Sequence, residues 1–305
     1  MPAPLVECVP NISEGRRGEI LEALLESISG VPGARLLDSS SDPDHNRAVL
    51  TLAGGPEAVC QAAFALVDCA ARRIDMRAHR GVHPRIGAAD VVPFVPLRGM
   101  TMAECAELAR AFGRRAGEEL GLPVYLYGEA ALHPGRKHLA SLRNGEYEGL
   151  AAAIESDPAR APDFGPARLG PAGAVAVGAR GPLIAFNIYL DTADRGIAQA
   201  VAGRIRASSG GLPALKALGF AVGGLAQVSM NLTDYTRTPL PRVFAAVREE
   251  AARLGAGIDR SELIGLIPEG AAAGWNAADL RLEGFSEDRI LENRLRKAGL
   301  LEEPS

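Results

Sequence analysis

Residues 157–173 interrupt an otherwise periodic chain, and they constrain the fold more than any other stretch. Asp157-Pro158, Ala161-Pro162-Asp163-Phe164-Gly165-Pro166 and Gly170-Pro171-Ala172-Gly173 crowd prolines and glycines into a run with little helical or strand period. Such residues punctuate secondary structure rather than continue it. A loop of this length is uncommon inside a domain, so it reads either as an interdomain linker or as a binding segment.

The segments on either side carry clear periods. Before the break, residues 5–10, 35–38, 48–52, 91–96 and 122–127 read as strands, and residues 56–74 have apolar residues at helical spacing, among them Val59, Ala62, Ala63, Leu66 and Val67. Ser13 is positioned to cap a helix that runs to about residue 29. Thr101 with Glu104 three residues on fits a capping box at the start of another helix. After the break come a strand at 183–190, a helix at 192–207, strands at 215–222 and 225–232, a helix at 239–254 with proline in its first turn, and a strand within 258–267. That is the split βαβ order. The expected class is α/β (α+β): two ferredoxin-like, split βαβ subdomains, 1–178 and 179–305, with their sheets packed together and helices on the outer faces.

Of 305 residues, 47% are hydrophobic, enough for a sizeable core, yet no apolar run is long and charge-free enough for a membrane span. Residues 1–11 include Glu7 and lack a basic n-region, so no signal peptide is expected. A formal net charge of −4 argues against nucleic acid as a partner. It leaves room for an anionic small molecule held by a few arginines in one cleft. The four cysteines, Cys8, Cys60, Cys69 and Cys105, match no zinc or redox spacing and read as reduced core thiols in a cytoplasmic protein. No metal is expected.

The densest polar cluster runs over residues 75–90. It holds His79 and His83, with Arg77, Arg80 and Arg85, punctuated by Gly81, Pro84 and Gly87. A polar loop between a buried helix and a buried strand is a common position for binding groups. An imidazole there could take and return a proton, and the arginines could hold carboxylates. A histidine beside proline in a loop is nonetheless more often a solvated or capping side chain. A second cluster spans 38–47, with Asp38, Ser40, Asp42, Asp44, His45, Asn46 and Arg47 between two expected strands. It reads as a hairpin turn or, if it faces His83, as part of a site.

The residues also resemble a known family. Leu5-Val6-Glu7-Cys8-Val9-Pro10-Asn11-Ile12-Ser13-Glu14-Gly15, His83-Pro84-Arg85-Ile86-Gly87-Ala88, Pro123-Val124-Tyr125-Leu126-Tyr127-Gly128-Glu129-Ala130, Gly145-Glu146-Tyr147-Glu148, Pro162-Asp163-Phe164-Gly165-Pro166, Gly178-Ala179-Arg180, Leu183-Ile184-Ala185-Phe186-Asn187, Ala226-Gln227-Val228-Ser229 and Ser261-Glu262-Leu263-Ile264-Gly265-Leu266-Ile267-Pro268 are similar, in order, to glutamate formimidoyltransferases. These correspond to the formiminotransferase domain of the bifunctional formiminotransferase-cyclodeaminase, without the cyclodeaminase part.

The resemblance implies folate-dependent transfer of a formimino group between 5-formimidoyltetrahydrofolate and L-glutamate, in a homodimer, within histidine breakdown. His83 matches the family's catalytic acid–base residue. Gly165, Pro166, Ala167, Arg168, Leu169, Gly170, Pro171, Ala172 and Gly173 match its folate-binding stretch, and Arg180 is a further candidate for the folate tail. Asp38, Asp44, His45, Asn46, Arg47, His79, Arg80 and Arg85 are expected to bind or orient the substrates, with tetrahydrofolate as co-substrate. Val82, Ser40 and Ala172 stand where the vertebrate-type pattern has Glu, Asp and a nearby Trp. The alternatives are a related formyl or formimino transferase with another acceptor, and a non-catalytic folate-binding protein.

Overall fold

A computed structural model describes residues 3–302; residues 1, 2 and 303–305, which include Met1 and Pro2 of the expected leaderless start, lie outside the described residues. The chain divides into two compact units, Met1–Arg180 and Gly181–Ser305.

In the first unit β1 (Val6–Cys8) and β2 (Asn11–Ile12) are two pieces of one interrupted strand. Each pairs antiparallel with both β4 (Arg47–Gly54) and β5 (Ala89–Pro96). Outside β4 lies β3 (Ala34–Asp42), joined to it as a hairpin. Beyond β5 lie β7 (Val175–Ala179) and then β6 (Val124–Gly128), all three parallel. The order β3, β4, β1/β2, β5 is that of a split βαβ unit, and β7 and β6 extend it.

The Pro/Gly-rich run is therefore not a linker. It turns the chain back so that β7 inserts between β5 and β6. Val175-Ala176-Val177-Gly178-Ala179 is buried throughout. A strand buried on both faces shows a continuous small-apolar run and no alternation, so nothing in its period announces it. A division after residue 178 would cut β7, whereas the unit boundary follows Arg180.

Three helices cover one face of this sheet: α1 (Gly18–Ser29), α2 (Pro56–Arg73) and α3 (Met102–Glu119). Their buried stripes, such as Ile20, Leu24 and Ile28 or Val59, Ala63, Leu66 and Ala70, join Cys8, Ile12, Leu50, Leu52, Val92 and Phe94 in one core. Thr101 accepts from the Glu104 backbone N–H while Glu104 reaches back to Thr101, so the expected capping box is present. Ser13 is not a helix cap: its Oγ donates to the Gly87 carbonyl at 2.7 Å. Arg17 stands at the N-cap of α1 with no side-chain cap, and the Glu14 carboxylate accepts from the backbone N–H of Arg16 and Arg17 in the turn just before the helix.

On the opposite face Val91, Tyr125, Tyr127 and Ala176 pack with Leu142, Leu150 and Ile154. The first two of those come from α4 (Leu139–Leu142) and α5 (Glu146–Ala153). The rest of that face, over β3 and β4, is polar. Antiparallel partners project the same way, and Asp42 pairs with Arg47, Ser40 with Val49 and Asp38 with Thr51. Ala48, Leu50 and Leu52 point to the helices. Arg47 and the half-buried Asp38, Ser40 and Asp42 thus form a stripe on the face without α1 to α3.

The second unit is a plain split βαβ unit: β8 (Ile184–Leu190), α6 (Arg195–Ile205), β9 (Leu215–Val222), β10 (Leu225–Leu232), α7 (Leu240–Arg253) and β11 (Ile258–Ile264). Its sheet order is β11-β8-β10-β9. The β9–β10 turn is Gly223-Gly224, both with positive φ, as a two-residue hairpin requires. Among the described residues, no helix is long and apolar enough to cross a membrane. All four cysteines are free, and burial pushes the Cys60 and Cys105 thiols up to about 12 and about 11.

Candidate active site around His83

Three connections of the first unit meet: the β3–β4 turn at 43–46, the segment 74–88 between α2 and β5, and the turn between α4 and α5 at 143–145. Asn46 ties the first two together. It holds φ at 49°, a left-handed conformation that asparagine tolerates better than most residues. Its Oδ1 accepts from the Gly15 N–H at 3.0 Å, and its Nδ2 donates to the Arg80 carbonyl at 2.9 Å.

His79 continues this framework. Its Nε2 donates to the Asn46 carbonyl at 3.1 Å, which leaves Nδ1 to accept from Arg85 Nε at 3.3 Å. One neutral tautomer serves both bonds, and burial holds the ring's pKa below the usual range. Arg85, itself buried, then donates to Glu146 at 2.7 Å and to both oxygens of Glu148 at 2.8 and 2.7 Å. Asn46, His79 and Arg85, expected among the substrate-binding residues, are thus bonded into the framework around the loop that carries His83.

The far end of that loop is fixed as firmly. Asp90, buried, accepts from the Ile86 N–H at 2.8 Å and from Arg143. Gly87 bridges to Gly173, and the Ala88 N–H donates to the Ala172 carbonyl at 2.8 Å. A Cβ on Gly87 would lie 1.9 Å from the Ala174 carbonyl oxygen, and Gly173 holds φ at 72°. Only glycine lets the two backbones approach this closely. The C-terminal end of the 165–173 stretch is thus bonded directly to the residues that follow His83. Within the stretch, Leu169 and Ala172 are partly buried against the core and Gly173 is buried, while Gly165, Pro166, Ala167, Arg168, Gly170 and Pro171 remain exposed.

His83 is half-buried between these supports. Its Nε2 contacts Arg47 Nη1, and its ring centroid lies 5.9 Å from that of the buried His45. Nδ1 is shielded from solvent and makes no hydrogen bond of good geometry, although the Pro84 backbone weakly favours the ring's protonated form. Burial, reinforced by the charges of Arg47 and Arg143 and by His45, pushes the His83 pKa well below its usual value. The ring is therefore neutral at pH 7. Arg47 is itself pushed down to about 10 by burial and by Arg143, with Asp90 and Asp42 acting in the opposite sense. Arg143 Nε, like His83 Nδ1, is sheltered and unpartnered. A neutral imidazole beside two guanidinium groups can move a proton and attract a carboxylate.

The other expected residues lie further out. Asp44 and Arg80 are exposed, and Arg80 folds back onto the carbonyls of Arg77 and His79. Asp38 is half-buried in β3, on the same face as Arg47. Val82, beside His83, is an exposed apolar side chain. Arg180 stands next to Tyr127 and Cys8 at the opposite end of β7 from Gly173, about 20 Å along the strand at the usual rise per residue. Arg143, Asp90, Glu146 and Glu148 carry much of the site's charge and are not among the residues expected from sequence. Glu146 and Glu148 fall in a motif that was legible, but Arg143 sits in a short irregular turn with no periodic signal. Among the described residues no group of three His, Cys, Asp or Glu side chains could hold a metal ion.

Comparison with known proteins places this arrangement. Residues 5–180 match the N-terminal subdomain of the formiminotransferase domain, and residues 185–300 match the formiminotransferase domain. The chain is 47% identical over 302 residues to a glutamate formimidoyltransferase of Thermoplasma acidophilum, covering 98% of this chain and 99% of that one. It is 43% identical over 298 residues to a glutamate formimidoyltransferase of Streptococcus pyogenes serotype M1, with 96% and 99% covered. The formimidoyltransferase-cyclodeaminase of Rattus norvegicus is 45% identical over 305 residues, which cover 95% of this chain and 56% of that one. Two α/β units, family models that together span nearly all of both, and full-length relatives at this identity mean that the chain belongs to the formiminotransferase family of enzymes.

Proposed function

We propose that this enzyme carries a formimino group between 5-formimidoyltetrahydrofolate and L-glutamate, with His83 as the acid–base group. The observation that carries the reading is the state of the His83 ring: neutral, half-buried, and with its basic nitrogen turned to the Arg47 side chain and not fixed to the backbone framework. His79, by contrast, has both ring nitrogens bound within the loop framework.

The glutamate amine attacks the formimino carbon on the folate nitrogen and forms a tetrahedral adduct. The new C–N bond forms as the amine loses a proton to His83. The old C–N bond breaks as His83 returns that proton to the departing folate nitrogen. No electrons are exchanged, and the proton count balances within the site. Arg47 and Arg143 supply the positive field for the acceptor's carboxylates. The exposed residues of the 165–173 stretch, with Arg168, supply a surface for folate next to the His83 loop, and holding both reactants there lowers the entropic part of the barrier. A homodimer in the cytoplasm is the assembly that the family resemblance implies.

The test is His83→Ala, with folate binding and formimino transfer measured separately. The expected result is retained binding with transfer reduced on the order of a hundredfold or more. Undiminished transfer would remove His83 from the chemistry. Turnover with a formyl donor but none with a formimino donor would replace the proposed substrate.

A further inference from the structure

The contact between Arg47 and His83 has a direction. A guanidinium can only donate hydrogen bonds, so the ring nitrogen it faces must present a lone pair. That nitrogen is Nε2, and the proton of the neutral ring therefore sits on Nδ1. The ring's one basic position is covered by a cation. As it stands, His83 cannot accept a proton from anything else.

The groups around the pair point to what removes the cap. The Arg143 charge lies close enough to push the Arg47 pKa down, since like charges repel. Arg143 is held on one side by Asp90, which also accepts from the Ile86 N–H, and its Nε is shielded and unpartnered. Asp42 faces Arg47 from the paired position on β3, and His45 faces His83 from the turn. Burial and, after it, the Arg143 charge outweigh the two carboxylates Asp90 and Asp42 and hold Arg47 down to about 10. An added carboxylate would satisfy both arginines at once by charge-assisted hydrogen bonds.

We propose that Arg47 is a substrate-released cap on His83: a carboxylate of the incoming amino acid, shared between Arg47 and Arg143, draws Arg47 off Nε2, and only then can the ring take the amine proton. This rests on the transfer reaction proposed above and adds an order to it. The base is exposed only when the acceptor is in place. Without an acceptor no free base stands beside the formimino donor to activate water, so the donor is protected from hydrolysis. Arg47 and Arg143 are positioning residues in this scheme, acting through His83 and the acceptor's carboxylate.

The ring nitrogens of His83 can be read by long-range proton–nitrogen correlation on labelled protein, with the His83 signals assigned by their loss in His83→Gln. Without ligand the expected pattern is Nδ1 protonated and Nε2 a hydrogen-bonded acceptor. Glutarate, which has two carboxylates and no amine, should shift Nε2 toward a free acceptor, and L-glutamate should do the same. In Arg47→Gln the ring should show no response to glutarate, and KM for glutamate should rise more than tenfold, whereas Arg47→Lys, which can still donate, should restore part of both. Transfer activity is measured on the same wild-type preparation. If the protein transfers formimino groups and neither glutarate nor glutamate moves the His83 signals, the cap is overturned and the reaction stands. If glutarate releases Nε2 but no formimino transfer occurs, the cap is supported and the reaction falls.

Discussion

The two units share one scaffold and differ in their connections. Both contain the strand–helix–strand–strand–helix–strand order, and in both the fourth strand lies beside the first. In the second unit the middle hairpin turns on Gly223-Gly224, and α7 reaches β11 through residues 254–257 alone. In the first unit the same hairpin carries the polar turn at 43–46, and α2 reaches β5 only through residues 74–88. Those two enlarged connections hold His45, Asn46, His79, His83 and Arg85. The sheet and helices give rigidity, and the proposed site is grafted onto loops that the scaffold brings together. Holding such loops requires polar groups that are paired among themselves, which is what Asn46, His79, Arg85 and Glu148 do.

The comparison can be broken by cutting the ties in the first unit and changing the matching turn in the second. Gly87→Ala forces a methyl group against the Ala174 carbonyl and should cost roughly 1–3 kcal/mol, as overpacked sites do. Gly223→Ala meets open space, although φ is 57°, so it should cost about 1 kcal/mol and leave transfer activity unchanged. Urea midpoints of the two variants check the ordering, and a reversed order would contradict the view that the first unit is the more tightly tied. Asn46→Ala removes a donor and an acceptor and strands the Gly15 N–H. It should cost about 1–3 kcal/mol and lower transfer together with stability. Glu148→Gln is the mildest change. Its carboxylate is exposed and Arg85 keeps Glu146, so the expected loss is below about 1 kcal/mol, with KM and kcat nearly unchanged.

Much of this was legible in the sequence, for identifiable reasons. The strands at 215–222 and 225–232 could be read because Gly223-Gly224 marks the turn between them. The Thr101 helix could be read because its capping box is local. β7 escaped because a strand buried on both faces has no alternation and this one follows a proline-rich loop. Ser13 was misplaced because its partner, the Gly87 carbonyl, is remote in sequence and reaches it through sheet register. The same holds for the site. His83 stood out by its polar neighbours, but the difference between His79, whose two nitrogens are both bound, and His83, whose Nε2 meets Arg47, lies in contacts with Asn46, Arg85 and Arg47 that no local pattern encodes. Arg143 gave no signal at all, since its role depends on Asp90 across the fold.

The central claim is that burial and neighbouring cations keep the resting His83 ring neutral, so that it can take a proton once the acceptor has drawn Arg47 away. A group whose folded pKa lies below its unfolded value near 6.5 binds protons more tightly in the unfolded chain. Its contribution to stability is therefore full above pH 6.5 and falls as pH drops from there toward the folded value. The free enzyme's reactivity should follow the same group. The most direct test is to titrate the His83 ring by nitrogen NMR in the unliganded protein and overlay the acid limb of kcat/KM for formimino transfer. The account predicts that the two curves coincide, with a midpoint well below 6.5. A His83 ring that titrates at or above 6.5, or an acid limb that stays in place while the ring titrates elsewhere, would contradict it.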